Sequence, residues 1–259
     1  MIKFKTILVE QRAGVVEIQL NRPAVRNAID EVMIDEMTTL FKTLSNSNEI
    51  RLIILSGHGK CFCSGADIKA MKNVDDGIQS LGLQKMLLCI DHCPHPIVAI
   101  LHGTVMGGGI GIAACCDEVI ANNQTQFCFP EVRLGLMPAI ISPFVFSKIG
   151  FSSALALSLS ARKFDCAHAK SIDLVHHSFD HDNIAKEISK TIEHYSNSGL
   201  EAMKKIKQYL KKELFAKQND EVHTLTSRLI TEMRKSDEAQ EGMKAMLEKR
   251  KPSWVTNHE

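Results

Sequence analysis

The 259-residue chain is 44% apolar and 24% charged, which fits one compact domain, or a core with a smaller lobe, and excludes a fibre, a disordered tail and a miniprotein. Its 31 Lys and Arg nearly cancel its 30 Asp and Glu, leaving +1; no bulk attraction to nucleic acid or anionic membrane is built in, and an anionic ligand must be held by local groups. The longest apolar stretches, such as Pro96 to Leu101, fall far short of the ~20 residues a bilayer span needs, and Met1-Ile2-Lys3-Phe4 starts no signal segment, so a cytoplasmic protein is expected.

Two β-rich runs come first, Lys5 to Glu10 and Val15 to Leu20, with Arg12 to Gly14 as the turn of an antiparallel hairpin. After Asn21-Arg22-Pro23, Met33, Met37, Leu40, Phe41 and Leu44 follow the helical period, and Asp30 or Asn27 can cap the start. Arg51 to Ser56 and Pro96 to Leu101 read as short buried strands, separated by a polar loop and a helix from about Asp75 to Cys93. From Thr104 a Gly-rich turn, a short apolar helix through Cys115 and a strand Asp117 to Ala121 repeat the pattern, followed by an irregular stretch to Pro138. This alternation predicts an α/β fold with a buried sheet.

Beyond Ser142 strand signals nearly vanish, and Leu200 to Leu214, Val222 to Met233 and Glu238 to Lys249 read as amphipathic helices. Their apolar faces are expected to pack on a neighbouring subunit, the alternative being their own core. Lys204, Lys205, Lys207, Lys211 and Lys212 read as a solvated helix face, not a nucleic-acid stripe. Eight cysteines, mostly inside apolar segments and without paired Cys-x-x-Cys spacing, read as reduced, buried thiols; no metal site is expected. His92, His95 and His102 have no placed partner and are assigned no role, most histidines being expected at the surface or under loops.

Three segments are candidates for chemistry. In Cys61 to Met71 small residues follow a strand directly and would let a ligand approach the backbone, the alternative being an ordinary strand-to-helix turn. Gly103 to Gly111 holds three consecutive glycines at a helix entry, where unshielded N–H groups point along a positive dipole end, the alternative being glycines that only permit close helix packing; it fits neither a dinucleotide fingerprint nor a P-loop. In Phe129 to Pro138 one carboxylate, Glu131, is set among apolar and turn residues, which suits a general acid or base; an ion pair to Arg133 is the structural alternative.

These segments, in this order, resemble the crotonase superfamily, also called the enoyl-CoA hydratase/isomerase family. Asn21 to Ala28 is similar to its N-terminal loop, Ser64 to Lys69 to its CoA-binding loop, and Ala161 to Leu174 and Glu241 to Trp254 to its later signatures. The resemblance implies a spiral of repeated ββα units over residues 1–195, carrying the thioester site, and a helical trimerisation region over residues 196–259, trimers commonly pairing into hexamers. It implies no cofactor beyond Coenzyme A as part of the substrate, and neither nucleic acid nor membrane as a partner.

The resemblance further implies that the backbone N–H groups of Ala66 and Gly108 receive the thioester oxygen, and that Coenzyme A lies along Ala66, Asp67, Ile68 and Lys69. Val25, Arg26 and Ala28 would contact its nucleotide end, and Lys249 of an adjacent subunit its 3′-phosphate. The two glutamates of ordinary hydratases fall on Gly111 and Glu131, so the first is missing. A single glutamate also suits the Δ3,Δ2-enoyl-CoA isomerases, and a non-catalytic CoA-thioester binding paralogue is the reading of another class.

Gly107 to Asp117, Phe127-Cys128 with Glu131 to Gly135, Pro138 to Phe144, the Phe164-Asp165 pair and the tail Glu248 to Trp254 resemble the bacterial methylglutaconyl-CoA hydratases of leucine and acyclic-terpene degradation, which also carry Gly at the first position. That branch implies hydration of 3-methylglutaconyl-CoA to 3-hydroxy-3-methylglutaryl-CoA, ahead of a general 2-enoyl-CoA hydratase. The substrate's own distal carboxylate would then help position the water that Gly111 leaves unheld. A cation must receive that carboxylate; Arg133 is near in sequence, and nothing else singles one out.

Overall fold

The computed structural model describes residues 4–68, 78–180, 184–211 and 220–254. The first hairpin, β1 (Ile7–Arg12) and β2 (Val15–Leu20), is antiparallel as expected, its turn carried by Ala13 and Gly14 at positive φ. After a 3₁₀ turn at Pro23–Val25, helix α1 (Glu31–Ser45) starts at Asp30, whose side chain accepts from the N–H of Met33 at 2.9 Å. Of the two capping candidates Asp30 does the capping, and Asn27 is used elsewhere.

Strands β3 (Leu52–Gly57), β4 (Ile97–Leu101) and β6 (Glu118–Asn122) continue in parallel from β2, with helix α2 (Ile78–Asp91) between β3 and β4. Short strands β5 (Thr104–Met106) and β7 (Gln126–Cys128) pair in a second sheet, with helix α3 (Gly108–Cys115) between β5 and β6. From β4 to β7 successive strands alternate between the first sheet and the second, as in a ββα spiral. Then come α4 (Ser142–Ile149), α5 (Phe151–Ser160), β8 (Phe164–Asp165), α6 (Cys166–Ser171), β9 (His177–Phe179), α7 (Ile184–Ser196), α8 (Leu200–Gln208), α9 (Asp220–Arg234) and α10 (Asp237–Leu247). The sheet orders are β1-β2-β3-β4-β6-β9 and β5-β7-β8.

Four of these strands correct the sequence reading. β5 and β7 lie in stretches read as a turn and as irregular, and β8 and β9 lie beyond Ser142; at two or three residues each they are too short to show an alternation. The main sheet is buried on both faces, which explains the unbroken apolar runs of β3 and β4. Ile53, Leu55, Ala99 and Leu101 face the main core with Phe41, Phe62 and Phe127, while Leu52, Ile54, Val98 and Ile100 face a smaller cluster against Ile188, Ile192 and Tyr195 of α7. All eight cysteines are unpaired and seven are buried; burial raises the thiol pKa values, Cys63 and Cys116 to about 12. No helix among the described residues is long and apolar enough to cross a membrane.

The C-terminal helices follow in part the alternative of packing on their own core, while Ile206, Leu210, Leu225 and Met246 stay exposed. Ile230 of α9 and Ala239, Met243 and Ala245 of α10 are buried within this chain's own core, and α10 lies on the 3₁₀ turn Glu131–Leu134. The contact is backbone to backbone: a Cβ on Gly242 would stand 2.5 Å from the Leu134 carbonyl carbon, and one on Gly135 would stand 2.7 Å from the Ala239 nitrogen. Only small residues permit that approach.

The lysine-rich helix is not simply solvated. Lys207 donates to Asp117 Oδ2 at 2.6 Å and to the His95 carbonyl at 2.8 Å, and Lys211 donates to Asp91 Oδ1 at 2.7 Å. Lys204 is buried, and Lys212 lies outside the described residues. The long apolar stems let these ammonium groups reach inward to carboxylates and helix-end carbonyls. Burial disfavours the Lys211 charge, but Asp91 and Asp117 outweigh it and hold its pKa above the ordinary lysine value.

Candidate active site

Asn27 organises the first wall of the site. It is fully buried beside Arg26, both in left-handed backbone, and its carboxamide accepts from the Arg22 N–H at 2.8 Å and donates to the carbonyls of His58, Cys61 and Phe62 at 2.9, 2.9 and 3.1 Å. One side chain thus ties the loop after β2 to the small-residue segment after β3. Arg22 adds ion pairs to Asp30 at 3.0 Å and Asp67 at 3.2 Å and donates to the Ala28 carbonyl. Asp67 is therefore engaged in holding the loop.

Ala66 sits in a parallel bridge with Ile29. The Ile29 N–H donates to the Gly65 carbonyl at 2.8 Å and the Asp67 N–H to the Ile29 carbonyl at 2.9 Å. Strand alternation turns the Ala66 N–H the other way. The Gly108 N–H, at the first position of α3, has no turn before it to bond. The two come together: a Cβ on Gly108 would stand 3.8 Å from the Ala66 nitrogen, and one on Gly65 would stand 3.6 Å from the Gly108 nitrogen. Two convergent N–H donors, one at a helix start, have the geometry that suits a developing oxyanion.

Glu131 lies against this pair, since a Cβ on Gly107 would stand 2.8 Å from its Oε1. Its Oε2 is buried without a hydrogen-bond partner, and burial pushes the carboxyl pKa from 4.5 up to about 7. Arg133 does not pair with it; that guanidinium donates to the Ala161 carbonyl at 2.6 Å. A carboxyl half-protonated near neutrality can take and return a proton.

Gly111 is one turn into α3 and faces Ile141: a Cβ there would collide with the Ile141 side chain and stand 3.6 Å from Leu87 Cδ1. Packed hydrocarbon fills the place of a second carboxylate. Gly111→Glu is therefore expected to destabilise the fold by about 1–3 kcal/mol through overpacking without raising hydration, measured by thermal unfolding and turnover; a stable, faster variant would contradict this.

A cavity of about 640 Å³ opens in front of these groups. Of the residues singled out in the sequence, Val25, Arg26, Ala28, Ala66, Asp67, Ile68 and Glu131 line it. Gly108 and Gly111 are not among the lining residues, Lys69 lies outside the described residues, and Lys249 is exposed and does not line the cavity, whereas its neighbour Arg250 does. The sequence reading missed the upper wall: Leu83 of α2, Ile140 and Ile141, and Ile230 and Arg234 of α9. His95, the one deeply buried histidine among the described residues, bonds the Leu44 carbonyl at 2.9 Å, far from this chemistry in role.

The family model for enoyl-CoA hydratase/isomerase matches residues 10–257. The chain belongs to the enoyl-CoA hydratase/isomerase family. An Alternaria alternata protein named enoyl-CoA hydratase AKT6-1 is 38% identical over 166 residues, 64% of this chain and 56% of that one, so the chain spans about half the length of this fungal relative. A Rhizobium meliloti chain named "Probable enoyl-CoA hydratase" is 30% identical over 98% of this chain and 99% of its own. The crystal structure of an enoyl-CoA hydratase from Shewanella pealeana is 29% identical with a TM-score of 0.76, covering 97% of each chain. The fold is the α/β crotonase fold that the sequence resemblance implied.

Proposed function

We propose that the chain adds water across the α,β double bond of an enoyl-CoA thioester. The observation that carries the reading is Glu131: one carboxyl whose Oε2 is buried without a hydrogen-bond partner, held near neutrality beside two convergent backbone donors. The Glu131 carboxylate takes a proton from water as its oxygen bonds to the β-carbon. The double-bond electrons move to the thioester oxygen, where the N–H groups of Ala66 and Gly108 stabilise the enolate. The Glu131 carboxylic acid then returns the proton to the α-carbon, restoring the thioester and completing the addition of H and OH.

For the acyl group we propose 3-methylglutaconyl, giving 3-hydroxy-3-methylglutaryl-CoA. The motifs around Gly111, Glu131 and Ser142-Pro143 support this branch, and the apolar filling of the Gly111 site agrees with a reaction run by one protein carboxylate. Exposed Arg26 at the cavity mouth suits the nucleotide end of Coenzyme A. A trimer is part of the proposal: Phe151, Leu155 and Leu159, 68%, 40% and 68% exposed at helical spacing on α5, offer an apolar face to another copy. The outward position of Lys249 suits service to a neighbouring subunit.

The lone carboxylate also favours a second reading, movement of a double bond from Δ3 to Δ2, which one proton shuttle can perform. Loss of conjugated-thioester absorbance on crotonyl-CoA and on 3-methylglutaconyl-CoA, measured side by side, tests the proposal. Hydration far faster on the glutaconyl thioester is expected. Equal rates overturn the acyl assignment, absorbance gained from a 3-enoyl-CoA favours the isomerase, and tight binding with no turnover leaves a CoA-thioester binding protein.

A further inference from the structure

Four arginines line the cavity, and three of them are accounted for. Arg26 is exposed at the mouth; Arg133 donates to the Ala161 carbonyl; Arg250 is bound by Glu241 at 2.6 Å and Glu248 at 2.7 Å. Arg234 differs. Its Nε and Nη1 are buried and have no acceptor among the described residues. It stands one turn after Ile230 on the same face of α9, and Ile230, Leu83 and Ile141, which share its cavity, are 5%, 8% and 3% exposed. Arg234 therefore belongs to the closed part of the cavity, whereas Val25 and Arg26 are at its open end.

A guanidinium stays charged at any ordinary pH, and burying its Nε and Nη1 without an acceptor is unfavourable. Burial alone lowers its pKa, with no carboxylate to offset it. Glu131, the other orphaned charged group lining the same space, forms no ion pair with it, so the cavity separates the two instead of letting them neutralise each other. A ligand that reaches from the oxyanion donors past Glu131 and ends in an anion would satisfy Arg234. An apolar acyl tail would leave it bare.

We propose that Arg234 is a specificity-determining residue that receives a carboxylate at the distal end of the acyl group, so that the site selects CoA thioesters of dicarboxylic acids. This rests on the reading of the cavity as a CoA-thioester site and names its acyl class. Arg234 supplies the cation that substrate assistance requires, in place of Arg133. It touches the acyl end and not the reacting carbons, so it sets which thioester binds, while Glu131 carries the proton.

Saturated thioesters separate binding from turnover. Calorimetric titration of the full chain with glutaryl-CoA, butyryl-CoA and free Coenzyme A, in wild type and in Arg234→Met and Arg234→Lys, tests the assignment. Wild type is expected to bind glutaryl-CoA at least about 30-fold tighter than butyryl-CoA. Arg234→Met is expected to abolish that preference while leaving butyryl-CoA and Coenzyme A unchanged, and Arg234→Lys, which keeps a cation, to restore part of it. Equal binding of the two thioesters by wild type overturns the proposal, as does an equal loss of Coenzyme A itself, which would assign Arg234 to the phosphates. If neither thioester nor Coenzyme A binds wild type, the underlying reading of the cavity fails instead. Should Arg234→Met not fold, the Arg234→Lys titration decides: a preference for glutaryl-CoA that is weakened but still present, with Coenzyme A binding unchanged, fits a received anion, and a preference equal to that of wild type overturns the proposal.

Discussion

Glu131→Gln is expected to cut hydration by about 1,000-fold while making the protein more stable at neutral and higher pH. Gln keeps the shape and loses the transferable proton. The activity side follows from the lone carboxyl beside the Ala66 and Gly108 donors, with hydrocarbon where a second acid would stand. Wild-type kcat/KM is expected to rise with pH toward a plateau above about 7, because the carboxylate form accepts the proton from water.

The stability side follows from linkage. Between pH 4.5 and about 7 the unfolded chain ionises this carboxyl while the folded chain keeps it protonated. The folded state then binds the extra proton, so stability is lost as pH rises through that window and levels off above it. The advantage of Glu131→Gln should be near zero below pH 4.5 and about 3 kcal/mol above pH 7, read as a pH-dependent difference in denaturant midpoint. A variant less stable than wild type at pH 8, or retaining most of its turnover, would contradict the assignment.

The second large effect is expected at Gly242. Its Cα rests on Leu134, and an added methyl would stand 2.5 Å from the carbonyl carbon and 2.6 Å from the carbonyl oxygen. These are backbone atoms of the turn that presents Glu131, so no side chain can swing aside. Gly242→Ala must lift α10 or push the turn. Displacing a catalytic group by about 1 Å costs on the order of 100-fold in rate, and the overpacking costs about 1–3 kcal/mol. Both kcat/KM and the unfolding temperature should fall. A drop in temperature with unchanged turnover would show that α10 stabilises the chain without positioning Glu131.

The long elements of this fold are legible because their periods are long. β2, α1, β3 and β4 emerge from alternation or helical spacing within a few residues of their observed ends. The second sheet is illegible because its three strands have three, three and two residues. The glycine-rich and small-residue segments mark the backbone that lies beside the cavity, and a solitary Glu131 amid apolar neighbours marks the candidate acid. Arg234 escaped because its signal is faint: it continues the buried face of Thr226, Ser227 and Ile230 on a helix whose other faces are charged. A charge at that place on the stripe reads as its polar edge until α2 is seen opposite. The inward turn of Lys207 and Lys211 was hidden likewise, since Asp117 and Asp91 are 90 and 120 residues away in sequence.

At the centre of the site the fold holds the Glu131 carboxyl with its Oε2 buried and unpartnered and its affinity for protons matched to neutral pH. Carbon-13 NMR of side-chain carboxyls in glutamate-labelled protein, followed from pH 4 to 9, tests it without any choice of substrate. One glutamate titrating near 7 in wild type and missing from Glu131→Gln is the predicted result. A wild-type spectrum in which every glutamate titrates in the ordinary range, or a high titration that survives in Glu131→Gln, would contradict it.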